Sequence, residues 1–149
     1  MKTIYRKIVS AVLVSSDNKV LLGKVREGGV YPDCWHIPGG GVDGDETKQQ
    51  ALIREMKEEV GIDSSGLEPM LLSNTDTGTA EKTDKNNGKM YKIEMTFNTY
   101  RVDLPLAASE IQISLDDDLK EYRWVSFEEL HNYKHTLPSQ KLFKKLHWL

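Results

Sequence analysis

One cysteine, Cys34, stands alone in 149 residues. No disulfide can close within the chain, and a reducing compartment suits such a composition. No apolar run is long enough to span a bilayer, so no membrane partner is expected. Positive charge is not in excess: 20 Lys and Arg face 23 Asp and Glu, for a net charge of −3. That balance argues against a general nucleic-acid surface, and no stable nucleic-acid complex is expected. Internal repeats and linker-like stretches are missing too, so residues 1–149 read as a single domain. Residues 8–14 are apolar and follow Lys2, Arg6 and Lys7, which imitates a secretory signal. The run is short, Ser15-Ser16-Asp17-Asn18 reads as a turn, and no cleavage site follows. A first strand and a cytoplasmic location are the expectation.

What is present is an ordinary globular composition, 38% hydrophobic and 29% charged. Residues 8–14 and 20–25 are β-rich runs about a turn and predict a hairpin. Residues 27–33 form a loop rich in breakers, and Pro38 turns Ile37 away from helix. Helical periodicity then runs from about Glu46 to Val60, with Gly61 as its stop. Asp43 and Asp45 are the candidate N-caps, and Asp43 with Glu46 has capping-box spacing. Residues 67–72 predict a strand. Residues 73–89 are polar with two glycines and predict a long flexible loop. Tyr91, Ile93, Met95, Phe97 and Thr99 alternate with polar residues and predict a strand with one buried face. Residues 104–113 look irregular, with a short strand near their end. Residues 122–125 predict a late strand, Ser126 and Glu129 a second capping box opening a short helix, and Pro138 the start of a C-terminal helix. Strands first, one central helix, then strands and helices give an α+β, or mixed α/β, class.

The central helix carries the chemistry. At about 100° per residue, Glu55, Glu58 and Glu59 fall within roughly 100° of arc. Leu52, Ile53, Met56 and Val60 occupy an adjacent arc of similar width. Crowded carboxylates repel and ask for a compensating cation. Oxygen ligands suit a hard ion, Mg²⁺ or Mn²⁺. The glycines Gly39-Gly40-Gly41 lead into this helix, whose N-terminus favours anions. Carboxylates, metal and a glycine loop outline a polyphosphate site that needs no covalent nucleophile, and Cys34 has no evident activating partner.

Gly40, five residues, Glu46, seven residues and then Arg54-Glu55-Met56-Lys57-Glu58-Glu59-Val60-Gly61-Ile62 resemble the Nudix box at every fixed position. Residues 35–40 and 121–130 resemble the segments that flank the box in that family, so the likeness covers most of the chain. The resemblance implies a Nudix fold, a mixed β-sheet packed between α-helices. It implies a Mg²⁺-dependent hydrolase, with Mn²⁺ able to substitute, in which water attacks phosphorus in a diphosphate bridge. The substrate implied is a small nucleotide, either a nucleoside triphosphate or a nucleoside diphosphate joined to another group, as in ADP-ribose or a nucleotide sugar. Glu58, Glu59, Glu55 and the Gly40 carbonyl would hold metal, Glu55 or Glu58 would serve catalysis, Arg54 would orient a carboxylate, and Glu46 would support the loop. Arg26, Tyr31 and Glu94 are further candidates for substrate or metal, as are Glu110 and Asp116-Asp117-Asp118. His36, Trp35 and Trp124 read as packing residues. Many members are homodimers, and no feature of this sequence decides that state. The competing readings are a non-catalytic nucleotide-sensing module and an isoprenoid diphosphate isomerase. The intact box argues against the first, and the lack of any match beyond Cys34 against the second.

Overall fold

The structure, a computed structural model, describes residues 1–25, 33–115 and 119–149. Strand β1 (Lys2–Val14) lies at the centre of a mixed sheet. It runs parallel to β6 (Met90–Asp103), from Lys2 opposite Tyr91 to Val14 opposite Asp103. On its other side it pairs antiparallel with β4 (Gly39–Gly41) and meets β2 (Lys19–Val25) at Val14 and Val20. The expected hairpin therefore exists only at its turn. Beyond Val20, β2 takes β3 (Trp35–His36) and β7 (Leu119–Ser126) as partners.

Both faces of β1 are buried, which is why its second half is a continuous apolar run and not an alternation. Val9, Ala11 and Leu13 pack with Leu52, Met56 and Val60 of helix α1 (Lys48–Val60). Val12 and Val14 pack on the opposite face with Leu142 and Phe143 of helix α2 (Leu137–Lys145). The sheet thus lies between two helices, as expected. Trp35 is a core residue, set edge-on to Tyr133 with ring centroids 5.5 Å apart.

Several boundaries differ from the sequence reading. Helix α1 starts two residues later than Glu46. Its N-cap is Thr47, which forms the capping box with Gln50. Asp43 and Glu46 make a turn in the loop instead, the Asp43 N–H donating to Glu46 Oε1 at 2.8 Å. Thr47 is the cap because its hydroxyl accepts the Gln50 N–H at 3.1 Å, while the Glu46 carboxylate is shared between Arg54 and the Asp43 N–H. Gly61 ends the helix at φ 73°, as predicted.

The larger correction concerns residues 73–89. They are not a long loop: Met70–Thr83 form strand β5, antiparallel to β6, with irregular register near Ser73. Only Asp84 to Lys89 turn the chain, closed by Asp84 N–H on the Lys89 carbonyl at 2.8 Å. β5 is an edge strand with no buried face to advertise, and its alternating threonines suit a pleated, half-exposed surface. Residues 104–115 hold a short 3-10 turn, Ala108–Glu110, and no strand; residues 127–132 form a second such turn.

Candidate active site

Helix α1 and strand β4 meet at the sheet edge and build the site between them. Glu59 is buried, and its Oε2 accepts the Gly39 N–H at 3.1 Å. Its place in the buried arc, between Ala51 and Leu52 around the helix, separates it from Glu58, whose side chain is 59% exposed. Glu55 lies against Gly40 so closely that a Cβ there would strike its carboxylate. The box carboxylates therefore do not share one environment.

Arg54 organises them. Its Nε and Nη2 hold Glu46 at 2.8 and 2.7 Å, its Nη1 reaches Glu55 at 2.9 Å and Glu58 at 3.2 Å, and its Nη2 also donates to the Gly41 carbonyl at 2.9 Å. These hydrogen bonds pull the Glu46 carboxyl down to about 2, helped by the Asp43 N–H, and push the Arg54 guanidinium further toward its charged form. At Glu55 burial outweighs Arg54 and raises the carboxyl above its ordinary value.

On the other face of the sheet, a cavity of about 290 Å³ reaches the same glycines, Gly39 and Gly40. Its walls are mainly apolar, from Ile8, Ile37, Phe97 and Leu142, with Asp76, Thr99 and Ser139 as polar points. Asp76 is held by Ser73 Oγ at 3.0 Å and by Lys145 at 3.2 Å. His36 lines this cavity too; its Nδ1 lies 3.2 Å from the Ile37 carbonyl, and its buried Nε2 has no partner among the described residues. Burial holds its imidazole below the ordinary pKa, so the ring stays neutral near pH 7. Period-two patterning had put Phe97 and Thr99 on one face, but Asp76 was hidden in the supposed loop.

A model of the NUDIX domain family matches residues 4–146. The chain belongs to that family. Its fixed glycines, Arg54 and glutamates are the ones assembled at the α1–β4 edge. The nucleoside triphosphatase NudI of Escherichia coli is 26% identical over 142 residues, covering 93% of this chain and 95% of the relative. The MutT protein of Methanosarcina mazei has a similar fold, with a TM-score of 0.68 at 21% identity over 99% of this chain and 96% of that one. The dihydroneopterin triphosphate pyrophosphohydrolase of E. coli superposes with a TM-score of 0.65 at 22% identity, covering 95% and 96%. The chain is thus a Nudix pyrophosphohydrolase, and hydrolases of this family generally use a divalent metal.

The residue types at this Nudix edge fit such an ion. Three carboxylates and the Gly40 carbonyl offer oxygen only, the donor set of a hard cation. Among the described residues no three acidic, histidine or cysteine side chains converge as a ready cage. Arg54 engages Glu55 and Glu58, and Glu59 faces the Gly39 N–H.

Other candidates fall elsewhere. Arg26, Tyr31 and Asp116 to Asp118 lie outside the described residues. Glu94 pairs with Lys92 at 3.2 Å and sits four residues along β6 from Asn98, which is level with Gly40 across β1. That spacing is about 13 Å of strand, so Glu94 is not brought to the glycine edge. Cys34 is buried and unpaired. Among the described residues no helix is long and apolar enough to cross a membrane.

Proposed function

We propose that this Nudix hydrolase acts on nucleoside triphosphates with Mg²⁺, Mn²⁺ being able to replace it, and cleaves a diphosphate bond by attack of water on phosphorus. The observation that carries the reading is the contact of the 290 Å³ cavity with Gly39 and Gly40. One glycine edge thereby has an apolar, partly polar pocket on one face and the carboxylates on the other. Apolar walls with a few polar points are the usual anatomy of a site for a small ring system, and this volume suits a nucleobase better than a second large moiety. The NudI relative, named a nucleoside triphosphatase, supports the same class.

In this reading Glu58, Glu59, Glu55 and the Gly40 carbonyl hold the metal. Bound there, Mg²⁺ neutralises phosphate oxygens and lowers the pKa of water. Glu55, half-buried at the edge, orients the attacking water or takes its proton. Arg54 fixes Glu55 and Glu58, and Glu46 anchors Arg54. His36 and Asp76 offer polar groups to the base edge. Most of the catalytic effect is positioning and charge neutralisation, as phosphoryl transfer requires.

Phosphate release from a panel of nucleoside triphosphates, nucleotide sugars, ADP-ribose and dinucleoside polyphosphates tests this. The runs use Mg²⁺, Mn²⁺ or chelator, with a coupled phosphatase or pyrophosphatase. Metal-dependent turnover confined to the triphosphates is the expected result. Preference for a nucleotide sugar or ADP-ribose would overturn the substrate class, and turnover in chelator would overturn the metal assignment.

A further inference from the structure

The three glycines of β4 share a residue type for different reasons. None has a positive φ, so any residue could adopt their backbone. A Cβ at Gly39 would meet the Val9 carbonyl, and one at Gly40 would meet Glu55. At Gly41 the space is taken by the guanidinium of Arg6, whose Nη2 lies where a Cβ would stand. A bare glycine at 41 leaves room for Arg6.

Arg6 projects from β1, two residues before Ile8, and alternation puts it on the same face as Ile8 and Ser10, which line the cavity. Val42 N–H donates to the Lys7 carbonyl at 2.9 Å and keeps the chain after β4 alongside this part of β1. Arg6 is exposed, and no carboxylate pairs with it among the described residues, in a chain with more acids than bases. Arg54 lies across the same peptide with all five of its N–H donors engaged, by Glu46 twice, Glu55, Glu58 and the Gly41 carbonyl. It has none left for a substrate. The two arginines flank Gly41, one committed to protein and one without a carboxylate partner among the described residues.

Resting on the proposed triphosphate reading, we infer that Arg6 is a phosphate-binding residue, gripping the phosphate chain where it passes over β4 from the cavity toward the carboxylates. A guanidinium matches phosphate oxygens with paired donors, and the bare Gly41 lets its Nη2 end come close to the edge the phosphates must cross. Gly41 acts through Arg6 as a positioning residue.

Calorimetry with imidodiphosphate, a hydrolysis-resistant diphosphate, in Mg²⁺ tests the inference without turnover. Wild type binds the probe. Arg6→Ala weakens it by about tenfold or more, the loss expected for a charge-assisted contact, with an unchanged melting temperature because the side chain is exposed. Arg6→Lys retains part of the affinity. Gly41→Ala, which displaces the guanidinium, weakens binding similarly, and the double variant is no weaker than Arg6→Ala alone. Wild-type affinity in Arg6→Ala, no binding by wild type, or additive losses in the double variant would overturn the inference. Turnover on the nucleotide panel is a separate readout: an inert wild type that still grips imidodiphosphate through Arg6 would sink the substrate reading and leave Arg6 standing.

Discussion

Arg54 holds Glu46 through two parallel hydrogen bonds, Nε to Oε2 at 2.8 Å and Nη2 to Oε1 at 2.7 Å. The fork spans eight residues and ties the middle of α1 to the loop before it. The same guanidinium then has its remaining donors free to fix Glu55, Glu58 and Gly41. Lysine offers a point charge and cannot reproduce five directed donors. Arg54→Lys should therefore lose about 10- to 100-fold in kcat/KM, the range for groups that orient metal ligands, and a few degrees in Tm. Arg54→Ala should lose more of both. Kinetics and melting that match wild type would show that the fork has no such role.

The Glu46 carboxyl stands at about 2, below its ordinary 4.5. A depressed carboxylate stabilises the fold fully above its unfolded value, and that contribution is lost as pH falls through the folded value. The wild type should therefore lose an increment of stability between about pH 4.5 and 2. Glu46→Gln should already lack it at pH 7, so melting curves of the two proteins should converge on acidification. Curves that stay parallel down to pH 2 would assign the shift no thermodynamic weight.

Glu58→Gln and Glu59→Gln each remove one charge from the proposed metal set with little change in shape. Each should cut Mg²⁺-dependent turnover by about a thousandfold, since a metal supplies several kcal/mol to such a step. The expected costs to the fold differ. Glu58 is exposed and its replacement should leave Tm unchanged, whereas Glu59 is buried on Gly39 and its replacement should lower Tm. Near-wild-type rates in both variants would refute the assignment.

Strand β5 makes a claim that amide exchange can check. Its backbone pairs with β6 from Asp76 opposite Phe97 to Thr83 opposite Met90. As an edge strand it should show protection at alternate amides through residues 76–83, with fast exchange at the turn residues Lys85 to Asn87. Uniformly fast exchange would restore the loop reading.

What the sequence disclosed, it disclosed through spacing. Glu55, Glu58, Glu59 and Arg54 fall together because the helical repeat puts them together, and Gly61 ends α1 because its left-handed φ favours glycine. The same repeat could not show that Glu59 is buried while Glu58 is exposed, since that depends on where the sheet lies. The helix start differs because Asp43 with Glu46 and Thr47 with Gln50 have the same capping spacing, and only the second pair closes on the helix end. β5 stayed hidden because an edge strand of threonines and charges has no apolar alternation. Asp76 and the cavity were hidden with it. Arg6 was legible only as a basic residue on a strand; its meaning comes from Gly41, whose nearness depends on the pairing of β1 with β4.

The pairing of β1 with β6 also bears on how the molecule comes into being. Thirteen residue pairs join segments 89 positions apart, from Lys2 and Tyr91 to Val14 and Asp103. A nascent chain halted before residue 90 holds the complete Nudix box and yet lacks the neighbour its central strand needs. Contacts of such long range must repay loop closure before they stabilise anything, which slows folding. β1 thus waits for β6, and the sheet that carries the glycine edge is completed only after the whole box has been synthesised.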